Sequence, residues 1–160
     1  LKHLPELDCA IVGEPTLMQL AVAEKGLLVL DVKVKGTASH AAHQNDDNAL
    51  YKSIPVMEWF KNYKFDKISD VLGPVKMTVT QINAGKQHNV VPSECDLVVD
   101  IRVNDCYTNS EILEVVTANV NAEVTPRSMH LNASSIPVTH GLVQAGIALG
   151  RTTYGSPTLS

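Results

Sequence analysis

The sequence predicts an α+β protein built on a ferredoxin-like β-α-β-β-α-β unit, a four-stranded antiparallel sheet with both helices on one face. Three observations carry that prediction. Several stretches alternate apolar and polar residues with a period of two, as half-buried strands do. Two other stretches repeat apolar residues at helical spacing behind capping residues. From Gly26 to about Leu131 these segments follow one another as strand, helix, strand, strand, helix, strand.

The first strand of the unit runs from about Gly26 to Lys35, with Leu28, Leu30, Val32 and Val34 on one face and Asp31, Lys33 and Lys35 on the other. After a small-residue loop, Asp46, Asp47 and Asn48 supply caps and dipole partners for a helix. Leu50, Ile54, Met57 and Phe60 are its expected apolar face. Pro55 costs about 3 kcal/mol in a regular helix interior, so a kink is expected there. "GPVKMTVTQINAG" and "SECDLVVDIRV" are the next two strands, the second alternating Cys95, Leu97, Val99 and Ile101 against Asp96, Asp100 and Arg102. "TNSE", Thr108 to Glu111, has the form of a capping box, and Ile112, Val116 and Val120 follow as a helical stripe. "AEVTPRSMHL" is the last strand, which Pro126 places on an edge or ends.

Other stretches stand outside this unit. "DCAIVGEPT" reads as an extra buried strand, Asp8 to Glu14, closed by a turn. Val138 to Gly150 reads as an extra helix, and Gly155 to Ser160 stops in mid-element. The pattern is that of one inserted domain between two stubs of another. The chain also begins at Leu1 without an initiator Met, as an excised fragment does.

Bulk properties exclude some functions. The 160 residues suffice for one good core. A hydrophobic share of 44%, a charged share of 19% and a net charge of −4 suit a soluble protein and argue against nucleic acid or an anionic membrane as partner. No apolar run approaches the roughly 18 residues of a membrane span. The N-terminus lacks the order of a signal peptide. Cys9, Cys95 and Cys106 have no disulfide or zinc-knuckle spacing and read as reduced thiols of a cytoplasmic protein.

Four constellations are able to carry chemistry. Glu14, in "GEPT" at a strand end, is either an exposed turn residue or a carboxylate placed to reach a site. "SHAAH" presents His40 and His43 among small neighbours, where an imidazole can donate to a developing oxyanion or simply be solvated. His88 and Asn89 follow Gly85 in a loop, with Arg102 on the neighbouring strand. An arginine fork and a carboxamide can clamp a carboxylate, but Arg102 can equally pair with Asp100 or Asp96. His130 and His140 have no evident partner.

Together, "VGEPT", "EKGLLVLDVKVKGTASHAAH…NAL", "INAGKQHNVVPSECDLVVDIR" and the capped helix resemble the co-catalytic zinc hydrolase family of acetylornithine deacetylase, succinyl-diaminopimelate desuccinylase, aminoacylase and carboxypeptidase G. The motifs occur in that family's order and cover nearly the whole chain. The sequence departs from the pattern at Gln44, where the family often has proline.

The resemblance implies a catalytic α/β domain interrupted by a ferredoxin-like lid that also forms a homodimer interface. Residues 1–24 and 132–160 are then stubs of the catalytic domain, and residues 25–131 are the lid. Glu14 matches a carboxylate metal ligand. His40 matches the lid histidine that enters the partner subunit's active site and stabilises the tetrahedral oxyanion, with His43 at most supporting the loop. Asn89 and Arg102 match residues that hold the substrate's carboxylate, and Gly85 lies in the same loop. In the intact enzyme the resemblance implies two zinc ions (or cobalt), a bridging water as nucleophile and a glutamate base. The other ligands would lie outside this chain, which is expected neither to bind both metals nor to turn over substrate alone.

The implied reaction is hydrolysis of an N-acyl amino acid, N-acetyl- or N-succinyl-ornithine in arginine biosynthesis being the expected substrate. Succinyl-diaminopimelate desuccinylase and a metallocarboxypeptidase of the same family are the alternatives within it. A non-catalytic ferredoxin-like ligand-binding or assembly module is the alternative outside it, though such a module has no use for the "GEPT" turn.

Overall fold

A computed structural model describes residues 10–158. In chain order these form β1 (Leu20–Glu24), β2 (Gly26–Lys35), β3 (Ser39–His40), α1 (Ala49–Asn62), β4 (Lys76–Ala84), β5 (Val90–Val91), β6 (Glu94–Val103), α2 (Asn109–Asn119), β7 (Glu123–Pro126), β8 (Ser134–Ser135), α3 (Gly141–Ala148) and β9 (Thr153–Ser156). A four-stranded antiparallel sheet has the order β4-β6-β2-β7. With α1 and α2 packed on one face, this is the expected ferredoxin-like unit.

The centre of that sheet follows from period-two burial. Leu28, Leu30, Val32 and Val34 of β2 lie opposite Ile101, Val99, Leu97 and Cys95 of β6, and all eight are essentially inaccessible. Each large apolar side chain so buried contributes about 1.5–3 kcal/mol. Ile112 and Val116 of α2, with Val56 and Phe60 of α1, close the core from above. The other face is charged: Lys33 pairs with Glu94, Arg127 with Asp31 and Arg102 with Asp100. Thr80 is an extra residue in β4, where the register to β6 shifts between Val79 and Gln81. As expected, β7, with Pro126 at its end, is an edge strand.

The first helix departs from its expected phase. Ala49, Ser53, Val56 and Phe60 face the core, whereas Leu50 and Ile54 are 38% and 46% exposed. Small residues allow this. Ala49 sits against Gly36, where an added Cβ would lie 2.3 Å from the Asp47 carbonyl oxygen and 2.6 Å from the Ala49 nitrogen. The buried Ser53 hydroxyl donates to the Leu50 carbonyl at 2.7 Å. Apolarity favoured the larger residues, while close approach selected the smaller ones. The helix continues through Pro55, which is exposed. Asn48 is its N-cap, and Asp47 is engaged elsewhere.

Outside this unit, β1 pairs in parallel with β9 and antiparallel with β8 in a three-stranded sheet. The expected helix in Val138–Gly150 is α3, capped by His140, whose Nδ1 accepts from the Leu142 N–H. The expected strand over Asp8 to Glu14 is not formed. Its first two residues lie outside the described ones, and Ala10 to Glu14 are irregular, with Ile11 and Val12 84% and 70% exposed. No described strand pairs with them, and an extended apolar segment without ladder partners is not a strand. No helix among the described residues is long and apolar enough to cross a membrane.

Candidate functional site

Two loops meet at the end of the sheet where β2 terminates. Ser39 and His40 form the two-residue strand β3 against Val91 and Val90, and the Ala41 N–H donates to the Asn89 carbonyl at 2.9 Å. His40 is exposed. Its Nδ1 accepts from the Ala42 N–H at 3.1 Å, which leaves the proton on Nε2, a donor with no partner among the described residues. The His43 ring stands edge-on to it at 5.8 Å, and the His43 N–H donates to the His40 carbonyl. Among the described residues, the half-buried Asn89 side chain makes no hydrogen bond and the exposed His88 has no partner. Gly85, at φ +73°, turns the chain out of β4 and lines an open cleft of about 600 Å³ with Ala38, Lys86, Pro92 and Glu94.

Arg102 is not at this end. It lies eight residues along β6 from Glu94, roughly 26 Å at 3.3 Å per residue. There its Nε and Nη2 fork onto Asp100 at 2.8 and 3.0 Å. The guanidinium is thus paired with Asp100 on the sheet surface. Lys76 is its cross-strand partner on β4, and Lys25 stands just before Gly26, which lies opposite Val103. The Lys25 ammonium donates to the Pro74 carbonyl at 2.7 Å. Burial, then the Lys76 charge, holds its pKa below the ordinary lysine value. Among the described residues neither lysine has an ion-pair partner, and Asp100 is paired with Arg102. Sequence reasoning passed over both lysines. The signal available was their position, one at the start of β2 and one at the start of β4.

Glu14 is exposed in a turn. Its carbonyl accepts from the Thr16 N–H, and Gln19 joins the turn to Thr152 through bonds of 2.6 and 2.7 Å. Among the described residues no three His, Cys, Asp or Glu side chains lie close enough to hold a metal ion. The residues present do not by themselves make the two-metal centre that the resemblance implies. His130 is exposed, and His140 serves as a helix cap.

The fold is a ferredoxin-like unit with two loops paired at one end of its sheet. Residues 22–127 match the peptidase dimerisation domain, and the chain belongs to that family. Succinyl-diaminopimelate desuccinylase from Orientia tsutsugamushi is 25% identical over 82% of this chain and 36% of its own length. The enzyme of the same name from Acidiphilium cryptum is 28% identical over 68% of this chain and 31% of its own. The chain thus spans about a third of the length of these curated relatives. Among solved structures, a tripeptidase from Staphylococcus aureus superposes with a TM-score of 0.66 at 16% identity, over 89% of this chain and 41% of that one. An M20 family metallo-carboxypeptidase from Sulfolobus solfataricus superposes with a TM-score of 0.63 at 15% identity, over 89% and 54%.

Proposed function

We propose that this chain is the lid and dimerisation portion, with flanking stubs at 1–24 and 132–160, of a cytoplasmic metal-dependent amidohydrolase that removes an N-acyl group from an amino acid. The observation that carries the reading is the state of His40. Its ring is exposed at a loop tip, its Nδ1 is held by a backbone N–H, and its Nε2–H is left free to donate. That is the arrangement an oxyanion donor needs.

The two-ended geometry supports this reading. His40, Asn89 and Gly85 lie at one end of the sheet and Arg102 at the other, too far apart to meet in one site within one chain. In a homodimer, His40 and Asn89 enter the partner's site while Arg102 serves the site of its own subunit. The surface supports such pairing. β4 is an edge strand with Ile82 53% exposed, and the adjacent α1 leaves Leu50, Tyr51 and Ile54 uncovered. Among the described residues, Glu14, at the position of a family ligand, is the one that would contribute to holding zinc or cobalt. The chain's own residues contribute binding, orientation and oxyanion stabilisation.

On substrate, Arg102 with Lys25 and Lys76 suits an anionic acyl chain, hence N-succinyl over N-acetyl. The amine half separates two readings: ornithine, in arginine biosynthesis, from the sequence motifs, and diaminopimelate from the named relatives. The experiment is deacylase activity of the full-length protein with zinc or cobalt on N-acetyl-ornithine, N-succinyl-ornithine and N-succinyl-diaminopimelate, with this chain in parallel. Activity in the full-length protein and none in the chain is expected. Silence in both, with metal bound, favours the non-catalytic module.

A further inference from the structure

Every polar group of one side chain in the His40 loop is turned inward, to the loop itself. The Asn45 carboxamide donates from Nδ2 to the Thr37 carbonyl at 2.8 Å and to the Ser39 hydroxyl at 2.7 Å, and its Oδ1 accepts from the Asp47 N–H at 2.7 Å. Asp47 is itself tied down. Its carbonyl accepts from the Thr37 N–H, and its carboxylate takes Thr37 Oγ1 at 2.8 Å and Lys52 Nζ, from the first turn of α1, at 2.7 Å. One amide thus joins the segment that carries His40 to the start of a rigid helix.

Resting on the reading of His40 given above, we infer that Asn45 is a positioning residue, whose carboxamide sets where the His40 imidazole is presented. On the far side of the loop the constraint is the backbone pairing of Ser39–Ala41 with Asn89–Val91. On the near side it is Asn45. A loop held on both sides carries a histidine to a fixed place with no proline in it. Gln44, where the resembling family often has that proline, only reaches Asp46, at a long 3.4 Å. Orientation at this level matters to rate because a displacement of about 1 Å in a reacting group can cost on the order of 100-fold.

The test uses the full-length enzyme and the variants N45D, H40A and their double. The carboxylate that N45D introduces would keep an acceptor for the Asp47 N–H, lose both donors and set an oxygen against the Thr37 carbonyl. N45D is expected to lower kcat at least about 10-fold, with KM within about two-fold and metal content unchanged. The double variant should be no slower than H40A alone. E111A, which loses a capping box remote from His40, is the destabilised control and should keep its kcat. A wild-type kcat in N45D beside an impaired H40A overturns the inference and leaves the functional reading standing. Losses that multiply in the double variant overturn it too. A wild-type kcat in H40A overturns both. Should N45D fail to fold, S39A removes one acceptor of the amide and must lower kcat in the same direction, but not further in the H40A background.

Discussion

The Ala41 N–H donates to the Asn89 carbonyl at 2.9 Å, and this bond joins the loop after β2 to the loop after β4. Two residues separate in sequence, His40 and Asn89, are thereby presented together at one end of the sheet. Among the described residues, the imidazole Nε2–H and the Asn89 carboxamide are unpaired polar groups that this end offers.

His40→Ala in the full-length protein should therefore lower kcat by roughly 100- to 1,000-fold, the loss of one oxyanion donor costing about 2.7–4 kcal/mol. Steady-state kinetics with metal analysis checks this. Metal content should not change, because among the described residues His40 lies in no cluster able to hold a metal ion.

Arg102→Ala should raise KM for an N-acyl substrate with a carboxylate on its acyl chain, with a smaller effect on kcat. Its partner Asp100 is partly exposed and becomes solvated on loss of the arginine, so stability should change by under about 1 kcal/mol. An unchanged KM would remove Arg102 from the substrate's path and leave it a sheet-surface ion pair.

The parts legible in the sequence were those whose signal is local. β2 and β6 alternate cleanly because one face is buried along their length, and α2 announced itself through Thr108 and Glu111. The phase of α1 was not legible, because the choice between Ala49/Ser53 and Leu50/Ile54 depends on how closely the helix approaches Gly36, a tertiary matter. β1, β8 and β9 are short and owe their existence to partners far along the chain. The apolar Ile11 and Val12 looked like a strand but have no described neighbour to pair with. At the site, residue types could be chosen from sequence, yet their division between two ends of the sheet could not. Arg102 and Asn89 are close in sequence, and only the register of β6 shows them apart.

Gly36→Ala should be severely destabilising. The new methyl would meet backbone atoms of Asp47 and Ala49 at 2.3 and 2.6 Å, and neither can yield without moving the start of α1. A loss of about 2–4 kcal/mol is expected in denaturant unfolding of the 160-residue chain. The His40 loop, which shares that anchor, should lose amide-exchange protection first.

The capping box makes part of the stability acid-sensitive. The Thr108 N–H and then its hydroxyl, both donating to Glu111, hold the Glu111 carboxyl below its ordinary pKa. A carboxylate with a depressed folded-state pKa stabilises the fold above its unfolded value of about 4.3 and loses that contribution as pH falls through the folded value. Melting temperatures of the wild type should therefore fall below about pH 4 more steeply than those of Glu111→Gln. Parallel acid profiles would exclude the box as a source.

Pro55→Ala should stabilise the protein. Pro55 sits in the interior of α1 with its ring exposed, so no core contact is lost on replacement. Alanine restores an N–H able to bond back one turn and relieves the ring's clash with the carbonyl there, worth up to about 3 kcal/mol. Against this stands the freer unfolded chain, about 0.4–1 kcal/mol. A net gain of about 1–2 kcal/mol in urea unfolding is the expected balance. Stability that falls instead would mean that the strain around Pro55 is already absorbed by the helix, and that only the unfolded-state entropy remains.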